Sequence, residues 1–236
     1  MENISNEKYK EFTQILKDSY AYYLELCEKY NRPVGCTIWT NEEMEKEFNT
    51  FLYKKVCRGD NQIVFKKSIG DDENKIYRGL ANLSSYDYFK ILKAKNSNIY
   101  RKGSYGDGMY FSAEVSCAKN YVENNGALIT AAFADDCKFV NWTAIDDQRD
   151  TFIHEYVNSG EYANFTPEEK TFVEKSFFNN DIPTFYAGFF GYDALRFGHV
   201  YCVFNLDKIV IEDKNMVEEK VEEKPKKNFF SMVFGK

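Results

Sequence analysis

At 236 residues, with 44% hydrophobic and 17% aromatic side chains, the chain is long enough for one sizeable core plus appendages, and 21 Phe and 18 Tyr make aromatic packing its main filling. A net charge of −6 speaks against a partner held by bulk electrostatics to nucleic acid, while leaving a local basic groove open. No apolar run approaches the ~18 residues of a membrane span, and the N-terminus lacks the basic-then-apolar order of a secretory signal.

Six cysteines (27, 36, 57, 117, 137 and 202) form no CxxC pair, and the two histidines are far apart in sequence. The expectation is reduced thiols in a cytoplasm, with no structural zinc site and no metal. Lys, Asn, Ile, Phe and Tyr are abundant and Pro is scarce. That is the bias of an AT-rich coding sequence, as in low-GC bacteria and their phages.

Residues 7–30 place Tyr9, Phe12, Leu16, Tyr20, Tyr23, Cys27 and Tyr30 at helical spacing, with a stop near Pro33. Thr40 and Glu43 read as a capping box for a second helix with Met44, Phe48, Phe51, Leu52 and Val56 on one face. Together they predict an N-terminal helical subdomain over 1–58. A polar connection, 58–73, leads to a strand at Lys75–Leu80. A helix is expected over 84–95, a loop over 96–108 and a short strand over 109–112, with Ser112 capping a helix that runs to Tyr121.

Strands follow at 127–133 and 138–142, then a helix from Thr143. Thr166-Pro167-Glu168-Glu169 combines an N-cap, Pro at the first helical position and a capping-box Glu, and starts a helix ending near Asn179. Residues 192–197 and 200–211 read as the last strands. The order is α+β, not regular βαβ alternation. Residues 213–236 form a charged tail with an apolar tip at 229–234, suited to docking on a partner or a surface, or to folding back.

Three segments carry chemistry. In Ile76-Tyr77-Arg78-Gly79 a guanidinium with fixed donors sits in a strand before a glycine, a pattern suited to phosphate but also to an edge-strand ion pair. In 105–112, Gly106 and Gly108 suggest an open turn before a strand. Tyr121 follows Tyr110 across a strand-to-helix junction, so the two rings sandwich a flat heterocycle or simply pack in the core. In 188–195, Asp193 follows an aromatic, Gly-rich turn, where it faces a cation or caps backbone.

Taken in this order, the segments resemble the ADP-ribosyltransferase superfamily over about 140 residues. The stretch GDGMYFS…AKNY is similar to the G-x-G-x-Y-F-A…Tyr stretch of the poly(ADP-ribose) polymerases, and Arg78-Gly79 stands at the place of their His-Gly pair. Arg at that place resembles the cholera-toxin-like branch. GYDAL followed by YCVFNLDKIVI is similar to ADP-ribosyltransferase domains attached to phage head proteins. The Ser-Thr-Ser motif of the cholera-like branch is absent, with Ser112 a partial stand-in. Asp193 stands where the family has Glu, and Gly191 where many relatives have an acidic residue or Gln.

The resemblance implies a catalytic core over 59–212 with two small antiparallel sheets forming an NAD-binding cleft. Arg78 would hold the pyrophosphate or ribose, the Gly79 backbone the carboxamide, and Tyr110 and Tyr121 the nicotinamide ring, with Ser112 beside them. Asp193 would stabilise the developing ribose cation, as carboxylates do in glycosidases. NAD is then a substrate, consumed in mono-ADP-ribosyl transfer to a macromolecule, protein favoured over nucleic acid, by an effector or toxin in a bacterial or infected host cell. The alternatives are a non-catalytic NAD-binding or phage assembly module and an NAD glycohydrolase.

Overall fold

The apolar rhythm of the N-terminus folds as one long helix, α1 (Asn6–Lys29), which buries Tyr9, Phe12, Leu16, Tyr23 and Cys27. The computed structural model describes residues 6–57, 62–70, 74–93, 101–103, 106–180 and 182–215, so the charged tail beyond 215 with its tip at 229–234 lies outside the described residues. The second helix, α2 (Glu42–Val56), begins one residue later than the Thr40 cap predicts. Asn41 is extended, as a cap must be, and its side chain accepts from the Met44 N–H at 2.9 Å. Thr40 instead closes a 3-10 turn, its hydroxyl donating to the Thr37 carbonyl.

The strands are β1 (Val64–Lys66), β2 (Lys75–Leu80), β3 (Arg101–Gly103), β4 (Gly106–Ser112), β5 (Ala127–Phe133), β6 (Phe139–Asn141), β7 (Ala194–Phe197), β8 (Val200–Val203) and β9 (Ile209–Glu212). The remaining helices are α3 (Ser85–Lys93), α4 (Val115–Lys119), α5 (Trp142–Asn158), α6 (Pro167–Val173) and α7 (Pro183–Phe190). The class is α+β. The sheet, however, is a single mixed one with the order β1-β9-β5-β2-β4-β8-β7-β6, and β3 pairs with β4 off that path. Two separate antiparallel sheets are therefore a correction: β1–β9 and β6–β7 are parallel, and β2 and β4 join the halves.

Several boundaries moved for local reasons. Part of the predicted loop 96–108 is strand, because β4 starts at Gly106 and pairs back on β3. Gly188, Phe189 and Phe190 end a buried helix instead of forming a turn; Pro183 starts that helix and Gly191 terminates it with φ 93°, which only glycine adopts without strain. The run 200–211 breaks into β8 and β9 around a 3-10 turn, Leu206–Lys208. The Thr166 capping box forms as read, and α6 passes into a π-helical turn, Glu174–Phe178, closing at Asn179.

Two cores lie on opposite faces of the sheet. On one, Tyr88, Phe89 and Leu92 of α3 cover Ile76, Leu80, Met109, Phe111, Ile129, Tyr201 and Val203. On the other, α1, α2, α5, α6 and α7 pack a larger aromatic core onto Leu195, Cys202 and Phe204. That core draws α1 and α2 together with the later helices. The same face of the β2–β5–β9 half holds part-buried side chains, among them Tyr77, Leu128, Thr130 and Val210, with the small Ala132 buried beside them.

Candidate functional site

Among the described residues, the halves of the sheet pair as strands at one residue pair. Tyr77 of β2 is opposite Ser112 of β4, and no further β2–β4 pairing follows, whereas β2 and β5 pair along six residues. Beyond that point the strands part. Arg78 bridges the gap, its Nη1 donating to the Tyr110 carbonyl at 2.9 Å.

Side chains alternate across the sheet, so partners in register share a face. Tyr77, Gly79, Tyr110 and Ser112 therefore lie on the α4 side, and Tyr110 packs partly against the larger aromatic core. Arg78 shares the other face with Ile76 and Leu80. Its guanidinium carbon sits 5.8 Å from the centre of the Tyr88 ring, and its buried Nε has no hydrogen-bond partner among the described residues. The structure thus places the arginine between the half-sheets, with its side chain on the face opposite the tyrosines.

Gly79 is required by close approach. A Cβ there would collide with the Ala118 carbonyl of α4 and lie 2.9 Å from the Cβ of Tyr121. Tyr121 follows the short helix α4 and is 69% exposed. Gly79 and the neighbouring Tyr121 thus lie on the sheet face that also bears Tyr110 and Ser112. Ser112 belongs to β4 and is not the helix cap. Its Oγ accepts from the Glu114 N–H at 3.0 Å, closing the turn into α4, and Glu114 is the capping position.

Asp193 stands apart. It precedes Ala194 of β7, which pairs with Val203, itself paired with Met109; the row holding Tyr110 runs through Cys202 to Leu195. At strand rise and spacing, Asp193 is about 7 Å along and about 10 Å across from Tyr110. It is buried and its carboxylate is engaged. Oδ2 accepts from the Lys138 N–H at 2.8 Å and Oδ1 from the Asn205 amide at 2.7 Å. Its neighbours include Asp207, whose carboxyl burial pushes up, and Cys137, whose thiol burial and the Asp193 charge push up to about 12.

Sequence reading passed over a group beside Ser112. Glu114, Cys117 and His199 offer ligand atoms within 4.8 Å of one another. The Cys117 thiol donates to Glu114 Oε2 at 3.3 Å, and that bond, with some burial, holds it above its ordinary range. Glu114 and Cys117 sit three apart, a spacing readable in sequence, but His199 arrives only through the β7–β8 hairpin.

No protein-family model, curated protein or solved structure matches this chain. Among the described residues, no helix is long and apolar enough to cross a membrane.

Proposed function

We propose that the chain binds NAD on the α4 side of the β2–β4 divergence and transfers its ADP-ribose to a macromolecular acceptor, protein favoured over nucleic acid. The observation that carries this reading is the exposed Tyr121 against Gly79, on the sheet face that also bears Tyr110 and Ser112, where paired strands part. Tyr121 offers an aromatic face for a nicotinamide ring at this opening. Arg78 acts as a positioning residue that fixes the gap through the Tyr110 carbonyl. Nicotinamide departure leaves a cationic ribose, and Asp193 is the carboxylate that the family resemblance offers to stabilise it.

One observation favours a second reading, a non-catalytic NAD-binding module: the Asp193 carboxylate is already held by Lys138 and Asn205. Calorimetric NAD titration and chromatographic assay of nicotinamide release separate the two. The enzyme reading expects release by the wild type, with Asp193→Asn lowering it about 10²–10³-fold at unchanged affinity. Tyr121→Ala should weaken NAD binding by about 0.5–1.5 kcal/mol in either case. Binding without release selects the module. Absence of both binding and release removes NAD from the account.

A further inference from the structure

The β4–α4 turn and the β7–β8 hairpin are locked together at the end of the sheet where β2 and β4 meet. Ser112 pairs with Val200, and the Ala113 N–H donates to the His199 carbonyl at 2.8 Å. The Ser112 hydroxyl fixes the turn that presents Glu114, and one helical turn later Cys117 projects on the same side. A carboxylate, a thiol and an imidazole thereby converge from two elements that the backbone holds in fixed relation.

We propose that Glu114, Cys117 and His199 form a three-ligand site for a zinc-class divalent cation, its fourth position left to water. The donor set selects this class: thiolate and imidazole suit zinc, whereas magnesium and calcium take oxygen ligands. Tetrahedral zinc with bonds of about 2.3 Å to sulfur and about 2.0 Å to nitrogen sets ligand atoms about 3.5 Å apart. The three ligand atoms already lie within 4.8 Å, and Glu114 and His199 are exposed, so rotation of their side chains closes the difference. Binding displaces the thiol proton, now shared with Glu114 Oε2, to solvent, and leaves carboxylate and thiolate to balance the dication. This site is independent of the NAD reading.

The test uses the full chain, chelator-treated and kept reduced by a phosphine. Cysteine alkylation by iodoacetamide is followed by peptide mass spectrometry with and without Zn²⁺, and Co²⁺ is titrated for its thiolate-to-metal absorption and tetrahedral visible bands. Zn²⁺ should slow alkylation of Cys117 at least about ten-fold while leaving Cys36 unchanged. Cys117→Ser should abolish the Co²⁺ charge-transfer band, and His199→Gln should weaken binding beyond the about 10–100-fold that loss of an outer-shell partner costs. An unchanged Cys117 alkylation rate in saturating Zn²⁺ overturns the proposal in the wild-type protein alone. So does a charge-transfer band that survives Cys117→Ser, or protection that survives the Glu114→Gln, His199→Gln double variant.

Discussion

Asp193 and Asp207 show how neighbouring carboxylates take opposite stabilising roles. Asp193 accepts from two donors, so Asp193→Ala orphans the Lys138 N–H and the Asn205 amide and should cost about 1–3 kcal/mol for each group left unpaired. Asp193→Asn keeps the shape and one acceptor but sets its NH2 against the other donor, so it should cost about 1–3 kcal/mol of stability as well, and its turnover is to be read on the folded fraction. Asp207 has a buried Oδ1 without a partner among the described residues, and burial raises its pKa. A raised folded pKa favours the protonated folded state, so its contribution is present below the unfolded value of about 3.9 and is lost as pH rises through the folded value. Asp207→Asn should therefore raise Tm at pH 7, and the gain should vanish at pH 3. A Tm difference that grows on acidification would contradict this assignment.

At the scale of elements, the β2–α4 contact decides the geometry of the candidate site. Gly79 admits the end of α4 against β2, and that contact sets Tyr121 above the sheet. Gly79→Ala should overpack this contact at about 1–3 kcal/mol and displace Tyr121. In thermal melts and NAD titrations the variant should lose stability and affinity together. A variant as stable as the wild type would mean that α4 is free to withdraw. The α4 residues were visible in sequence as a strand-to-helix junction. The cap moved from Ser112 to Glu114 because the serine hydroxyl is used by the turn, a choice fixed by the pairing of Ser112 with Val200.

At the scale of the whole molecule, α1 is part of the main core. Phe12 is fully buried among the rings of Phe152, Tyr156, Phe177, Phe185, Tyr186 and Phe189, which come from α5, α7 and the π-helical turn. Phe12→Ala should cost about 3–5 kcal/mol in denaturant unfolding, within the range for large buried aromatics. A loss below about 1 kcal/mol would mean that α1 is only loosely joined to the later helices. The sheet separates this core from the one under α3, and among the described residues the halves of the sheet pair as strands only at Tyr77 and Ser112, with Arg78 bonded across beside them.

The sequence by itself determined the elements whose signals are local. The rhythm of α1, the Thr166 capping box, the strand Lys75–Leu80 and the junction bearing Tyr110 and Tyr121 all follow from neighbouring residues. Only the tertiary structure decided what depends on distant pairing. It made one sheet of the strands, put Arg78 on the face away from the tyrosines, and bound the Asp193 carboxylate to Lys138 and Asn205. It also brought His199 to Glu114 and Cys117. The physical reason is common to these cases. Periodicity, caps and turn chemistry act over a few residues, whereas strand order and register are fixed by burying both faces of the whole sheet, a condition no single segment encodes.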